Sequence, residues 1–506
     1  MRKLLLMAVT AAVACLAVWA GDWPSQGGNP QRDGWAKYEK GFTKENVGGL
    51  QLLYTYQADN QTKGLNALTA PLVNGLLITY RGFKEMLVFG GSSNTVYSVD
   101  ADLNRLIWKV QLTSKAQAPK EAKRAGACSG GLTAALAMPG SSTASGRGGG
   151  FRRVVAPVTP AQPVIPPTPG LLATGFGRPG AFLAVGNDGD LHVLNTATGE
   201  DRVPAIPFLP AGADVSSLNI SDDTIYAATS NNCGGAPNAV YAADLSSATP
   251  KVASFVTNGA GPAGSLGTAI GKDGTVYVQI SSGHGELAGE YNNSVVALSS
   301  KTLTAKDHFT PASKENSAAN SATPMVFDWK GKELLLAAGG GGSLYLLDAA
   351  SLGGTDHHQA LSKTGPVGNG FRGGFASWED TATRTRWVYA SLGGKIAAFT
   401  VEEQDGHPAL VPKWNSRDIV APAPAVVANG IVFALATGDS KKNSRAVLYA
   451  LDGATGKELY SSQAIVKSFS HNAGLAIANR RIYFTTHDNA VYCFGFFADQ
   501  LQLTGK

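Results

Sequence analysis

The sequence is poor in charged side chains, which make up 16% of its 506 residues, against roughly 25% in an average soluble domain. This composition therefore argues against coiled coils and helical bundles, which are rich in Glu, Lys and Arg. The net charge is only +5, and it falls to +3 when Arg2 and Lys3 are left out. So small a charge, scattered along the chain, predicts no nucleic-acid partner.

Cysteine and long apolar runs are also scarce. None of the four Cys forms a Cys-x-x-Cys pair, which excludes zinc-ribbon, thioredoxin-like and c-type haem motifs. Beyond residues 1–20, no segment approaches the ~18 apolar residues of a membrane span. Those first residues have a basic start, an apolar run and Ala20 before a Gly, which indicates a cleaved signal peptide. We therefore expect an exported protein, periplasmic or extracellular. An uncleaved anchor or a lipoprotein at Cys15 is the alternative.

Glycine is abundant instead, with 61 residues of 506, and this composition suits short strands joined by tight turns. One β-rich run recurs eight times, mostly about fifty residues apart. The runs cover residues 96–100, 191–195, 240–244, 295–299, 344–348, 396–400, 448–452 and 491–495. A period near fifty, with several short strands per unit and no helical periodicity, predicts a β-propeller.

The predicted fold class is all-β: an eight-bladed β-propeller of four-stranded antiparallel blades. In the seventh unit, the expected strands A to D are residues 424–429, 431–437, 446–452 and 458–462. The eighth unit has three strands before the chain ends, and residues 50–57 form a strand with no unit of its own. We therefore expect the N-terminal strand to close the last blade and remove its exposed edge.

These runs also predict the domain organisation. Residues 1–20 form the signal peptide, 21–49 an N-terminal extended segment and 50–506 the propeller. Residues 139–170 are rich in Gly, Ser and Pro, and we expect an insertion inside blade 2, because Pro cannot sit in a central strand. A linker between two domains is the alternative.

The turn between strands C and D of the seventh unit carries a family resemblance. Residues 450–460, ALDGATGKELY, resemble the pyrroloquinoline-quinone repeat with Tyr460 in place of Trp, and residues 98–108 keep the Asp and end in Trp108. Asp22-Trp23-Pro24 and the residues after it resemble the start of quinoprotein dehydrogenases. The resemblance covers nearly the whole mature chain. It implies an eight-bladed propeller of a kind shared by enzymes and by non-enzymatic periplasmic proteins.

In alcohol-oxidising members of that family, the quinone binds near the propeller axis with a cation held by Glu and Asn. An Asp acts as the base, and a disulfide between adjacent Cys covers the quinone. By resemblance, Asn231 or Asn232 matches the Asn ligand. Asp307-His308 stands where the base motif is expected, and no matching Glu or adjacent Cys pair is found. Calcium commonly takes six to eight oxygen ligands, so we expect a degenerate site and predict no confident metal site.

Other polar residues are placed by the propeller pattern. Arg372 is expected at the start of the inner strand of blade 6, where it would bind a carboxylate or quinone oxygen, or form a salt bridge to a neighbouring blade. His284, His471 and His487 are expected in loops on one face, as a metal or substrate site or as scattered loop residues. His357-His358 is expected in a solvated turn on the opposite face.

The remaining cysteines fit the same scheme. Cys128 and Cys233 are expected on one face in adjacent blades, and we predict that they form a disulfide. Cys493, inside a C strand, is predicted to be a buried thiol.

The sequence therefore predicts an exported binding or assembly scaffold with a degenerate quinone site. The alternative is an oxidoreductase that oxidises an alcohol or sugar with pyrroloquinoline quinone and Ca²⁺, passing its electrons to a partner. We expect the protein to be a monomer. Its expected ligand is a protein or a small molecule that binds on a propeller face.

Overall fold

The computed structural model describes residues 21–79, 82–112, 128, 130–140, 171–172, 180–281, 291–312, 321–339, 341–368, 370–442, 444–471 and 474–497. The predicted signal peptide lies outside the described residues, as does most of the predicted insertion at 139–170.

Eight antiparallel sheets follow one another along the chain and form a ring of blades, which confirms the predicted fold class. In each blade, strands A to D run outward from the axis. Blade 1 consists of Leu72–Thr79, Gly82–Gly91, Thr95–Asp100 and Arg105–Gln111, and blade 2 of Ala181–Val185, Asp190–Asn195 and Ile206–Pro207. Blade 3 consists of Asn219–Ser221, Thr224–Ser230, Ala239–Asp244 and Lys251–Val256. Blade 4 consists of Ala269–Ile270, Val276–Gln279, Val295–Leu298 and Ala305–Phe309. Blade 2 has a single bridge, Ala137 to Leu183, in place of strand A.

The second half of the ring has the same order of strands. Blade 5 consists of Met325–Trp329, Lys332–Ala338, Leu344–Asp348 and Ser362–Lys363, and blade 6 of Phe375–Glu379, Arg386–Ser391, Ile396–Gln404 and His407–Asn415. Blade 7 consists of Val426–Ala428, Ile431–Ala436, Val447–Asp452 and Glu458–Ser461. Blade 8 consists of Ala476–Ala478, Arg481–Thr485, Ala490–Gly495 and the N-terminal strand Gln51–Gln57. Asp214–Val215 pairs with strand B of blade 3, and Ser321–Ala322 pairs in parallel with Arg372–Gly373. Among the described residues, 3-10 turns occupy Val47–Gly49, Cys233–Gly235 and Gly354–Asp356.

Closure by the N-terminal strand is confirmed, because Gln51–Gln57 pairs antiparallel with strand C of blade 8. The alternation of side chains along this strand is interrupted, since the register shifts between Leu52 and Tyr54 and leaves Leu53 as an extra residue. Buried apolar clusters fill the space between neighbouring blades all the way around the ring, and the largest spans blades 7, 8 and 1. Each blade is therefore held by both neighbours.

The repeat motif explains the C-to-D turns. In blade 7, the carboxylate of Asp452 accepts hydrogen bonds from the backbone N–H groups of Ala454 and Thr455, at 2.8 and 3.2 Å. Gly456 has a φ of +73°, and a side chain at that position would collide with Trp414 of blade 6. Asp and Gly are thus required by the turn and by the close approach of the neighbouring blade.

The repeat aromatic follows a bulge in strand D and reaches the next blade. The bulge recurs in blades 1, 4, 6, 7 and 8. After it, Trp108 and Trp414 donate from Nε1 to carbonyls of the next blade's turn, both at 3.0 Å. Tyr54 likewise donates its hydroxyl to Ala101 O at 2.8 Å. In blades 1, 6 and 8 the aromatic therefore fastens the blade to the one that follows.

Residues 21–36 run around the inside of the ring. Gly21 donates to the Asn479 side chain of blade 8, and Trp23 pairs with strand A of blade 1. Further along, carbonyls of this segment accept hydrogen bonds from blades 2 to 7, from Met138, Asn219, Ile270, Val326, Ser377 and Val427. The N-terminal segment thus contacts the inner side of all eight blades.

Candidate functional site

The ring has two faces, and we call the one that carries the D-to-A and B-to-C connections the upper face. Below it, the N-terminal segment closes the axis. Gln26 accepts a hydrogen bond from Ser217 of blade 3 and also lies against Gly474 of blade 8, where a Cβ would come within 2.7 Å of its amide nitrogen. Gly373, before blade 6, would have a Cβ 3.0 Å from Ser265 of blade 4. Residues of the N-terminal segment and of several blades therefore lie close together below the upper face, and we call this layer the floor.

Arg32 lies inside the floor and is fully buried. Its Nε donates to Thr268 O at 3.1 Å, and its Nη2 donates to Leu218 O at 2.9 Å and Ser217 O at 3.4 Å. Its Nη1 donates to Ser25 Oγ at 3.1 Å and to Gln26 O. Burial lowers the pKa of this guanidinium to about 9. All five acceptors are neutral, so Arg32 joins the N-terminal segment to blades 3 and 4 by hydrogen bonds alone.

A disulfide lies on the upper face. The structure joins Cys128, in the connection from blade 1 to blade 2, with Cys233, in the B-to-C connection of blade 3, at a Cα–Cα distance of 5.5 Å. This is the pair indicated by the sequence, and it ties together connections that are 105 residues apart. Cys493 is a free, buried thiol.

Asn231 and Asn232 stand just before that disulfide, both in the left-handed region, at φ values of 62° and 49°. Nδ2 of Asn231 donates to Oδ2 of Asp214 at 2.7 Å. The backbone N–H of Asn232 donates to Oδ1 of Asn238 at 3.1 Å, and Nδ2 of Asn232 donates to Ala236 O at 3.4 Å. Asn tolerates the left-handed region better than most residues, so both side chains shape and hold this turn.

Asp214 is the residue that the sequence reasoning missed. It lies in the two-residue strand opposite Ser230, and burial raises the pKa of its carboxyl group. The structure thus places a carboxylate early in blade 3, beside the matched Asn. The only sequence signal was the position of this Asp shortly before strand A, because the short pairing that aligns it with Asn231 has no periodic pattern.

The structure places other residues from the sequence analysis elsewhere in the ring. Arg372 precedes the inner strand of blade 6 rather than beginning it, and its backbone pairs in parallel with Ser321. Asp307 and His308, which stand in the sequence where the base motif is expected, lie in strand D of blade 4, the strand farthest from the axis.

Two of the three loop histidines are close together. His487 stacks on Phe469 with ring centroids 4.5 Å apart, and its Nε2 lies 2.9 Å from Gly64 O. Burial and the nearby His487 lower the pKa of His471. His284 lies outside the described residues.

Three exposed apolar side chains lie on the same face as this stack. Leu65, Val420 and Ile465 are 39%, 55% and 42% exposed, and they lie in the D-to-A connections that lead into blades 1, 7 and 8. Backbone hydrogen bonds link these connections across the face, from Thr437 N to Val420 O, from Ser470 N to Thr437 O and from His487 N to Phe469 O. We call Leu65, Val420, Ile465, Phe469 and His487 the upper-face arc.

The described residues contain no helix with the length and apolar character needed to cross a membrane.

Comparisons with known proteins give the fold. No protein-family model matches the chain, and no curated protein matches it in sequence. A quinohemoprotein alcohol dehydrogenase from Pseudomonas putida matches in structure with a TM-score of 0.59 and 12% identity, over 94% of this chain and 80% of that protein. A europium-containing methanol dehydrogenase also has a TM-score of 0.59, with 13% identity over 94% of this chain and 98% of its own.

BamB from Moraxella catarrhalis matches with a TM-score of 0.51 and 13% identity, over 89% of this chain and 98% of that protein. The chain therefore has the eight-bladed β-propeller fold that is also found in quinoprotein dehydrogenases and in BamB. At these identities the likeness shows the fold, and function has to be argued from the residues.

Proposed function

We propose that this protein is an exported binding scaffold that uses the upper face to hold a protein partner, and that its quinone site is degenerate. The observation that carries the proposal is the use of the two matched Asn side chains. Asn231 is bound to Asp214, and Asn232 holds its own turn. These groups serve the shape of the face instead of converging on a cation.

The ring is built to present a fixed surface. The N-terminal strand closes blade 8, residues 21–36 contact every blade, and the Cys128–Cys233 bond joins the upper connections of neighbouring blades. Scaffolds gain from such rigidity, because less conformational entropy is lost when a partner binds.

The upper-face arc supplies the contact surface for a protein. Its three exposed apolar side chains come from three consecutive blades, whereas small-molecule sites are usually concave pockets. Exposed apolar groups gathered on one face, beside an aromatic ring and a histidine, are typical of protein contact regions. A protein is therefore the partner that this surface suits best.

We expect a photo-crosslinking residue at position 465 or 420 to capture the same protein in intact cells. Leu103 is the matched control: it is 61% exposed and apolar, but it lies in a C-to-D turn on the opposite face. A shared partner at positions 465 and 420, weakened when Leu65 is replaced by Asp and absent from position 103, would support the proposal. The proposal fails if the crosslinks form only from position 103 or from none of the three.

The second candidate function is quinone-dependent oxidation of an alcohol or sugar, and the pair of Asp214 and Asn231 is the observation that favours it. A carboxylate and an amide 2.7 Å apart on the upper face are the ligand types that calcium accepts, but calcium commonly takes six to eight oxygens. In the part of the chain that the structure describes, this pair supplies too few ligands, so the fit is incomplete and we derive no catalytic step from it.

A further inference from the structure

The seam between blades 4 and 5 departs from the pattern of the seams that follow blades 1, 6, 7 and 8. After the strand D bulge, blades 1, 6, 7 and 8 place Trp108, Trp414, Tyr460 and Tyr54. In blade 4 the same position holds Asp307, which follows the bulge directly. A carboxylate thus replaces the aromatic at one seam of the ring.

The partner of Asp307 is also unusual. The C-to-D connection of blade 5, residues 349–361, packs against strand D of blade 4. Leu352 N donates to Asp307 Oδ2 at 2.8 Å, and Thr310 N donates to His357 O at 2.8 Å. His357-His358 lies in a turn, as expected, and His358 is exposed, but His357 is half-buried because this connection folds back along the outside of the neighbouring blade.

Three metal-ligand side chains meet at this seam. Asp307 Oδ1 lies 3.0 Å from His357 Nδ1, and the rings of His308 and His357 stack with centroids 4.0 Å apart. One ligand atom from each of Asp307, His308 and His357 lies within 4.8 Å of the others, and all three residues are half-buried. The hydrogen bonds described above hold together strand D of blade 4, which carries Asp307 and His308, and the connection that carries His357.

The types of ligand limit the ion. Two imidazoles and a carboxylate suit zinc and the neighbouring divalent ions nickel and copper, whereas calcium and magnesium prefer sites built from oxygen. Zinc bonds to imidazole nitrogen and carboxylate oxygen at about 2.0–2.2 Å, so two ligand atoms around a tetrahedral ion lie roughly 3.3–3.6 Å apart. Asp307 Oδ1 and His357 Nδ1 lie 3.0 Å apart, so these two atoms need to separate only slightly to hold an ion in place of the shared proton.

We propose that Asp307, His308 and His357 form a binding site for a divalent ion of the zinc class, which fastens blade 5 to blade 4 where an aromatic does so elsewhere. Binding is linked to proton release, because both imidazoles must be neutral at their ligating nitrogens. The stacked rings must also tilt toward the ion, so the edge contact of Tyr291 with His308, with centroids 5.4 Å apart, should change on binding.

Titration of the untagged full chain with ZnCl₂, followed by calorimetry, tests the site. We expect one ion per chain, with affinity at least ten-fold weaker in His308→Gln and in His357→Gln, as for loss of a ligand or its support. The exposed His407 in the blade 6 hairpin is the control, and His407→Gln should bind as the wild type does. The Gln variants should melt at the temperature of the wild type in EDTA, which shows that the fold is retained.

The proposal is overturned if the wild-type chain binds no zinc, or if His308→Gln and His357→Gln bind it as tightly as His407→Gln. In either case the cluster is a hydrogen-bonded contact only. A zinc-dependent rise in melting temperature that is present in the wild type and lost in both variants would add independent support.

Discussion

Replacing Tyr56 by Pro is expected to open the ring and lower the free energy of unfolding by roughly 3 kcal/mol or more. Ala58 N donates to Asn489 O at 2.9 Å, and hydrogen-bonded pairs alternate along an antiparallel ladder. The N–H of Tyr56 therefore points into the ladder, opposite Val491. Its loss separates the last blade from the strand that completes it and exposes a sheet edge.

Two substitutions distinguish this effect from side-chain loss. The N–H of Thr55 points away from the ladder, toward the solvent side of the same edge strand. Thr55→Pro should therefore be tolerated far better than Tyr56→Pro. Tyr56→Ala removes the ring that lies 6.1 Å from Phe89 but keeps the N–H, and should have an intermediate effect. Chemical denaturation measures all three. Equal, small losses for Tyr56→Pro and Thr55→Pro would contradict closure by this strand.

Replacing Arg32 by Met is expected to have the second large effect, a loss on the order of 3–5 kcal/mol of unfolding free energy. Met fills much of the same space but leaves Thr268 O, Leu218 O and the other acceptors without their donor inside the protein. The N-terminal segment then loses the side-chain hydrogen bonds that Arg32 makes to the carbonyl groups of blades 3 and 4.

The matched control is Arg384→Met, because Arg384 makes an exposed ion pair with Glu379 at 3.2 Å and such pairs contribute about 1 kcal/mol or less. Thermal melting and limited proteolysis of residues 21–36 would follow both variants. Arg32 does not fasten the segment if Arg32→Met has the same melting temperature as Arg384→Met and if residues 21–36 are cleaved no faster in Arg32→Met than in Arg384→Met.

The sequence predicted the blades because each repeats local chemistry. Asp452 and Gly456 form the turn by contacts within a few residues, and alternating apolar residues define the strands around it. Closure was also predictable, because an unpaired strand at one end of the chain matched an incomplete blade at the other. The extra residue Leu53 was not, since a bulge depends on how strand D must bend to place its aromatic on the next blade.

Contacts between residues that are far apart in the chain could not be predicted from the sequence. Residues 21–49 were expected to be extended, but nothing local indicates that Arg32 reaches carbonyls some 190 to 240 positions away. Asp214 and Asn231 meet through a two-residue pairing, and Asp307 meets His357 through a connection that folds back over another blade. In these cases the ring itself brings the residues together.

The most direct test of the proposed function is to mix the purified protein with pyrroloquinoline quinone and Ca²⁺. Absorbance spectra and equilibrium dialysis measure binding, and reduction of a dye in the presence of alcohols or sugars measures turnover. A degenerate site predicts an unchanged quinone spectrum, no saturable binding at high micromolar quinone and no dye reduction, with Asp214→Ala indistinguishable from the wild type. Saturable quinone binding with dye reduction, both abolished by Asp214→Ala or Asn231→Ala, would contradict the scaffold and establish the enzyme.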